Sequence, residues 1–175
     1  MSPTPDKPNL QPTLDGTLVL IRPIAEADRD PMYAAASDPG IWTQHPATNR
    51  HERPVFDQYF DGALSSGGGL TFIERTSGEI IGSSRYYGFD EATREVEIGW
   101  TFLARPFWGG RYNGEIKALM VAHAFTFAST VVFWVAQENH RSRKAVEKIG
   151  AIVRDGVHHR RISGDAPYLI YQLRP

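Results

Sequence analysis

The chain has 175 residues with 19 basic and 20 acidic side chains, a formal net charge of -1, and it is 41% hydrophobic and 22% charged. That length suits one domain with its own core, and the charge balance lacks the basic excess of a general nucleic-acid coat. The absence of cysteine rules out disulfides, thiolate metal sites and thiol nucleophiles, in keeping with a reducing compartment. No apolar run approaches the ~20 residues that span a bilayer, and Met1 to Asn9 shows no signal-peptide core. The expectation is a cytoplasmic α+β protein, free of bound metal, nucleic acid or membrane, monomeric or homodimeric.

Residues 1–13 hold Pro3, Pro5, Pro8 and Pro12 and read as a flexible tail ahead of one domain over 14–175. Leu18 to Pro23 reads as a first strand, and a helix follows to about Ser37, stopped by Asp38-Pro39-Gly40. Ile41 to Arg53 is irregular and rich in polar and aromatic groups, including Trp42, Gln44, His45 and His51; ligand contact and a solvated connector both fit it. Pro54 to Leu64 reads as a second helix. Leu70–Arg75 and Glu79–Tyr87 form a hairpin about Thr76-Ser77-Gly78, and Glu95–Phe102 is the next strand. Glu115 to Ser129 reads as a long helix, and Val131 to Ala136 as a strand buried on both faces. Asn139 to Ile149 is a helix closed by Gly150, and Ala151–Arg160 and Tyr168–Leu173 complete the sheet about a turn at Ser163-Gly164-Asp165.

The strand–turn–helix stretch from Trp100 to Lys117 carries the strongest functional signal. A glycine turn opening a helix presents unpaired N–H groups, which grip phosphate. A P-loop requires Lys and Ser or Thr after its last glycine, but Gly114 is followed by Glu115 and Ile116. A dinucleotide fingerprint requires G-x-G-x-x-G, and Arg111 breaks that spacing.

Val96-Glu97-Ile98-Gly99-Trp100, Trp108 to Glu115 and Asn139 to Gly150 together resemble the GNAT superfamily of acyl-CoA-dependent N-acetyltransferases, closest to its ribosomal-protein-type branch. The likeness covers roughly residues 14–174. It implies a mixed sheet of about seven strands, splayed between the fourth and fifth and flanked by about four helices. It also implies acetyl-CoA as co-substrate, with pantetheine along Phe102 and Leu103 and pyrophosphate on the turn Trp108-Gly109-Gly110-Arg111-Tyr112-Asn113. Arg111 and Asn113 stand where the family pattern has small residues, so Gly109 and Gly110 supply the backbone freedom or the Arg111 side chain holds the phosphates. Asn139 corresponds to the family's pantetheine-binding Asn; capping by Asn139 and Ser142 is the alternative, and the two are compatible.

The reaction the resemblance implies is direct acyl transfer to a primary amine, on a small molecule or a peptide. It calls for a base, an oxyanion donor and a proton for the leaving thiolate. Glu97, in the E-I-G motif, is the candidate base, with Glu95 on the same face as the alternate. Ser142 is the candidate group at the sulfur, because Val146 stands where many relatives place a Tyr; Tyr86, Tyr87 and Tyr112 are further phenols to consider. A backbone N–H near Phe102 or Leu103 would hold the oxyanion. Trp42, His45 and Arg85 are expected to line the acceptor site between the 41–53 loop and the loop from Ser163 to Pro167, along with Gln44. His123 lies on the apolar stripe of its helix and reads as a core histidine, while His158 and His159 point to opposite faces and make a poor chelate. Two other readings stand beside the enzyme: a CoA-binding or sensing domain that has lost catalysis, and an interaction protein with no CoA site.

Overall fold

Residues 7–160 and 166–175 are described by the structure, a computed structural model. Among them the alternating segments pair into one nine-stranded sheet of order β1-β2-β3-β4-β5-β6-β9-β7, with β8 also paired to β9. The strands are β1 Leu14–Asp15, β2 Val19–Pro23, β3 Gly69–Glu74, β4 Ile80–Asp90, β5 Glu95–Leu103, β6 Thr130–Ala136, β7 Ile152–Val153, β8 His158–His159 and β9 Pro167–Leu173. The seven expected strands are all present. Two additions raise the count: β1, and the division of Ala151–Arg160 into β7 and β8 by a bend at Gly156, whose φ of 92° breaks the ladder. The expected turn at Ser163 to Asp165 lies outside the described residues.

The helices are α1 Arg29–Ala36, α2 Arg53–Ser65, α3 Arg111–Ala124 and α4 His140–Lys148. One face of the sheet packs Ile116, Met120 and Ala124 of α3 and Val146 of α4 against Val96, Ile98, Val131 and Phe133. Met32, Phe56, Phe60 and Ala63 of α1 and α2 build a second core with Trp42 and Phe102. Helix α3 is displaced from the expected 115–129. It begins at Arg111 because Gly110, at φ 102°, serves as its N-cap, and it stops at Ala124 as the chain tightens into turns. There Thr126 Oγ1 and Thr126 N both bond the His123 carbonyl, a local pairing that competes with the helical ladder.

The N-terminal segment is held to the body where it is described. Gln11 Nε2 donates to Gly69 O (3.0 Å) and His123 Nε2 lies 2.7 Å from Asn9 O, which explains the half-buried histidine on α3. Glu115 accepts from the N–H groups of Thr17, Leu18 and Val19 at 2.8 to 2.9 Å. A carboxylate in the first turns of α3 thus anchors the start of β2.

The feature that positions the site is a fork. Strands β5 and β6 pair in parallel only at Glu95–Thr130, Val96–Val131 and Glu97–Val132, then part. The register of β5 against β4 slips between Ser83–Phe102 and Arg85–Gly99, and Trp100 at the bulge takes φ 53°. Such a bulge bends its strand and re-aims the side chain. The left-handed residue costs about 1–3 kcal/mol and is held by its surroundings: Tyr59 Oη donates to Trp100 O (2.7 Å), and Ser84 Oγ bonds Gly99 O (3.1 Å) and Thr101 Oγ1 (2.7 Å).

Candidate active site

The open fork and the two helices behind it enclose a cleft of about 510 Å³. Its floor is the inner edge of β5 from Ile98 to Leu103 and the diverging half of β6 from Phe133 to Ala136. One end is the glycine turn before α3 and the other is α4. The structure brings Trp42, His45, Phe102, Leu103, Trp108, Gly109, Gly110, Asn113, Asn139 and Ser142 to this cleft. Ala104 N bonds Ile81 O (2.8 Å) on β4. By strand alternation the polar groups of Leu103 therefore face the fork. Trp108 Nε1 takes the Leu103 carbonyl (2.7 Å), which leaves its N–H as the donor there and singles out Leu103 over Phe102.

At the turn, Gly109 and Gly110 have φ of 111° and 102°, and no side chain caps the helix. The first helical bond is Gly114 N to Gly110 O (2.8 Å), so the N–H groups of Arg111, Tyr112 and Asn113 lack intrahelical partners. A Cβ at Gly109 or Gly114 would meet nothing within 4 Å, and at Gly110 only the tip of Lys148. Gly109 and Gly110 give the backbone its left-handed freedom directly ahead of the helix, one position before Arg111. This open, N–H-lined helix start fits a pyrophosphate.

Two expected turn contacts are not in the cleft. Arg111 is exposed and is not among the cleft residues. Tyr112 points the other way, its hydroxyl bonding Glu74 Oε1 (3.2 Å) and its ring packing on Phe107, because a helix starting at Arg111 rotates position 112 outward. Sequence reasoning missed Lys148, which lines the cleft beside Lys144. Lys148 follows Lys144 by four residues on one face of α4, a spacing that could have marked it. Arg143 turns away to Tyr171 Oη and Gln137 O.

Asn139 does cap α4, with Oδ1 accepting from Ser142 N (3.3 Å). Its side chain is buried and still borders the cleft, so capping does not withdraw it from the cleft wall. Tyr86 is removed from consideration: its hydroxyl donates to Met120 O (2.6 Å) in the core. Val146 is buried in the same core.

Lys117 is a second residue that the sequence reading overlooked. It is 6% exposed and lines the cleft, with Nζ 5.1 Å from the Phe133 ring centroid. Phe133 directly follows the last residue paired across the fork, so the ammonium sits at the crotch. Burial pushes it down to about 8. Its place three residues before Met120 and seven before Ala124, on the buried stripe of α3, was the available signal.

The acceptor-side expectations divide. Trp42 is buried, donating Nε1 to Ala36 O (2.9 Å) and packing on Phe102, so it forms the wall of the cleft and not of a separate acceptor pocket. His45 lies beside it, accepting from Ala47 N at Nδ1 (2.9 Å); burial, then Arg50 and Arg141, push it down to about 3, so it is neutral. The loop is strapped to α4 across the cleft mouth. Arg141 N donates to Gln44 Oε1 (3.1 Å), Arg141 Nη2 to Ile41 O (2.8 Å), and the guanidinium lies 3.8 Å from the Trp108 ring centroid.

Arg85 and Glu97 meet elsewhere, in a second cavity on the sheet face opposite α3, lined also by Tyr87, Trp100, Val132, Trp134 and Arg160. Trp100 and Trp134 belong to both cavities and form their common wall. Glu97 is 7% exposed, and Arg160 Nη2 donates to its Oε2 (2.7 Å). Burial raises its pKa; Arg160 and Arg85 pull it back only in part. Its carboxylate lies along Gly99, where a Cβ would come within 2.8 Å of Oε1. Glycine there leaves room for the acid to lean toward the shared wall. Glu95, the alternate, is ion-paired to Arg154.

A family model described as the acetyltransferase (GNAT) domain matches residues 19–152. Among solved structures, a GCN5-related N-acetyltransferase from Brucella melitensis superposes with a TM-score of 0.80 at 19% identity, covering 94% of this chain and 79% of its own. A protein from T. thermophilus described as an acetyltransferase gives 0.73 at 25% identity, covering 93% and 88%. Mycobacterium smegmatis RimJ, solved in complex with CoA-disulfide, gives 0.69 at 20% identity, covering 89% and 81%. No curated protein sequence matches the chain. With the forked sheet, the glycine-capped helix and a family match over most of its length, the chain belongs to the GNAT acetyltransferase family.

Proposed function

We propose that the protein transfers an acetyl group from acetyl-CoA to a primary amine, the two reactants meeting at the wall that separates the two cavities. The observation that carries this reading is the position of Glu97. A buried carboxylate of raised pKa leans along Gly99 toward Trp100, one face of the sheet away from a cleft that ends in the open glycine turn before α3. The turn at Gly109 and Gly110, with Lys144 and Lys148, suits the phosphates, and the fork edge suits the pantetheine amides. RimJ, which shares this fold, was solved in complex with CoA-disulfide.

The thioester supplies an activated acyl group with a thiolate leaving group. Glu97 accepts the proton that the amine sheds, a step for which a raised carboxylate pKa is an advantage. The Leu103 N–H stabilises the developing oxyanion. Ser142 and Lys117 both border the cleft, and Lys117, at about 8, is near the ordinary ~8.5 of a thiol. Lys117 is the better matched proton donor, with Ser142 contributing a hydrogen bond. Turnover is therefore expected to decline above pH 8 as Lys117 loses its proton. Lys117→Met should remove that alkaline limb and lower kcat at least ~10-fold, a conservative figure for a lost general acid. An unchanged limb in the variant would reassign the donor.

The reading is tested by melting the protein with and without acetyl-CoA and then following thiol release over an amine panel. Saturating acetyl-CoA should raise the Tm by several degrees; no shift would rule the reading out. A second reading has its own support. Val146 is apolar core and Arg160 occupies one oxygen of Glu97, as suits a domain that binds CoA without transferring its acyl group. Acetyl-CoA binding with no thiol release for any amine would favour it.

A further inference from the structure

Resting on the transferase reading, we propose that the acceptor is an amine bearing a carboxylate within a few atoms of it, and that Arg85 binds that carboxylate. The second cavity, about 710 Å³, holds four charged side chains in its walls. Glu95 is paired with Arg154, and Glu97 with Arg160. Arg85 is only 6% exposed, yet no carboxylate among the described residues lies within the 4.0 Å of an ion pair. Its hydrogen bond runs from Nη2 to the Tyr59 carbonyl (3.2 Å). The guanidinium lies 4.4 Å from the Trp100 ring centroid and 5.5 Å from that of Tyr59.

A guanidinium has five N–H donors, and burying one with no carboxylate in direct contact is costly, since Glu97 acts on Arg85 only through space. The aromatic rings fix its plane and favour the cation, but they supply no acceptor for the remaining N–H groups. A rigid, planar, desolvated fork that opens on a cavity matches a carboxylate in bidentate geometry. The register places the partner group. Arg85 pairs with Gly99, two residues from Glu97, so the two are diagonal neighbours on one sheet face. Such neighbours stand ~7–8 Å apart, which suits an amine at Glu97 and a carboxylate at Arg85 carried by one short head.

The carboxylate belongs either to a free amino acid or to the first side chain of a peptide beginning with Asp or Glu. Thiol release from acetyl-CoA should be compared for free amino acids, the same amino acids as carboxamides, C-terminally amidated peptides starting with Asp or Glu, the same peptides starting with Asn or Gln, and spermidine. In parallel, calorimetry on the CoA-loaded protein compares N-acetyl amino acids with their amides. One carboxylate arm should exceed its amide control in kcat/KM by about 100-fold, in line with losing a partner of a buried charge. The arm that does so identifies the source. Arg85→Gln should level that difference while leaving acetyl-CoA affinity unchanged, and Arg85→Lys should restore part of it, the latter guarding against a folding defect. Equal rates for acids and amides, or preference for spermidine, would overturn the anion site and leave the transferase reading intact. Should no amine react, the transferase reading fails by itself; tighter binding of N-acetyl amino acids than of their amides would still support the anion site, and equal or absent binding would overturn it.

Discussion

Replacing Glu97 with Gln is expected to lower kcat for acetyl transfer by ~10²–10⁴-fold, the range for removal of a positioned general base, while acetyl-CoA affinity stays within about twofold. The separation follows from the architecture, since Glu97 lines the second cavity and not the cleft. Steady-state turnover, calorimetry with acetyl-CoA and the melting temperature together make the test. The acid limb of the wild-type pH profile should lie above the ordinary carboxylate range, because burial holds Glu97 protonated longer than Arg160 and Arg85 can offset. A variant that keeps a third or more of wild-type kcat would remove Glu97 from the chemistry. Water or the acceptor's own carboxylate would then have to take the proton.

The largest expected loss of stability is at Asp28, far from the cleft. Its buried carboxylate accepts from Arg22 Nη1 (2.8 Å) and Nη2 (2.7 Å), from Ala25 N (2.9 Å) and from Thr71 Oγ1 (2.9 Å). It thereby joins the end of β2, the turn into α1 and the middle of β3. Asp28→Ala would strand a fully buried hydroxyl and an uncapped N–H, and would break the pair with Arg22. The cost should be about 3 kcal/mol, the low end for a buried pair because Arg22 keeps some contact with water. For a chain of this size that is roughly 6–12 °C in Tm. Burial alone would raise the Asp28 pKa, but the bonds from Arg22, Ala25 and Thr71 bring it below its ordinary 3.8. A depressed carboxylate gives stability above its unfolded pKa and loses it as pH falls. The gap between wild type and Asp28→Ala should therefore be full at neutral pH and close below pH 3.8.

The parts of the structure that the sequence revealed are those written in local chemistry. The alternation of Leu70 to Ile73, the Thr76-Ser77-Gly78 turn and the buried run from Val131 to Ala136 set strand order, and Asn139 announced the start of α4. The fork and the turn were placed through the family pattern of Glu97-Ile98-Gly99. What stayed hidden depends on contacts distant in sequence. Arg160 meets Glu97 from 63 positions away, and nothing near Glu97 announces it. Trp100 gives no local sign of φ 53°, since left-handed backbone is expected of glycine and the strain is offset by Tyr59, Ser84 and Thr101. Trp42 and His45 were assigned to the acceptor because loop residues of that type contact ligands. Packing against Phe102 puts them on the other side of the shared wall.

The bulge at Trp100 also bears on the thermodynamics of ligand entry. A sheet that had to part before a chain-like ligand could lie between two strands would lose ladder hydrogen bonds at every binding event. Here β5 leaves β6 after Glu97, bent by a backbone conformation fixed by surrounding side chains. The reorganisation is completed during folding, so the slot is preorganised and the free energy of association is not reduced by opening it. Selection for tight or weak binding can then act on the walls of the slot, at Lys117, Lys144 and Lys148, without altering the strand geometry that creates it.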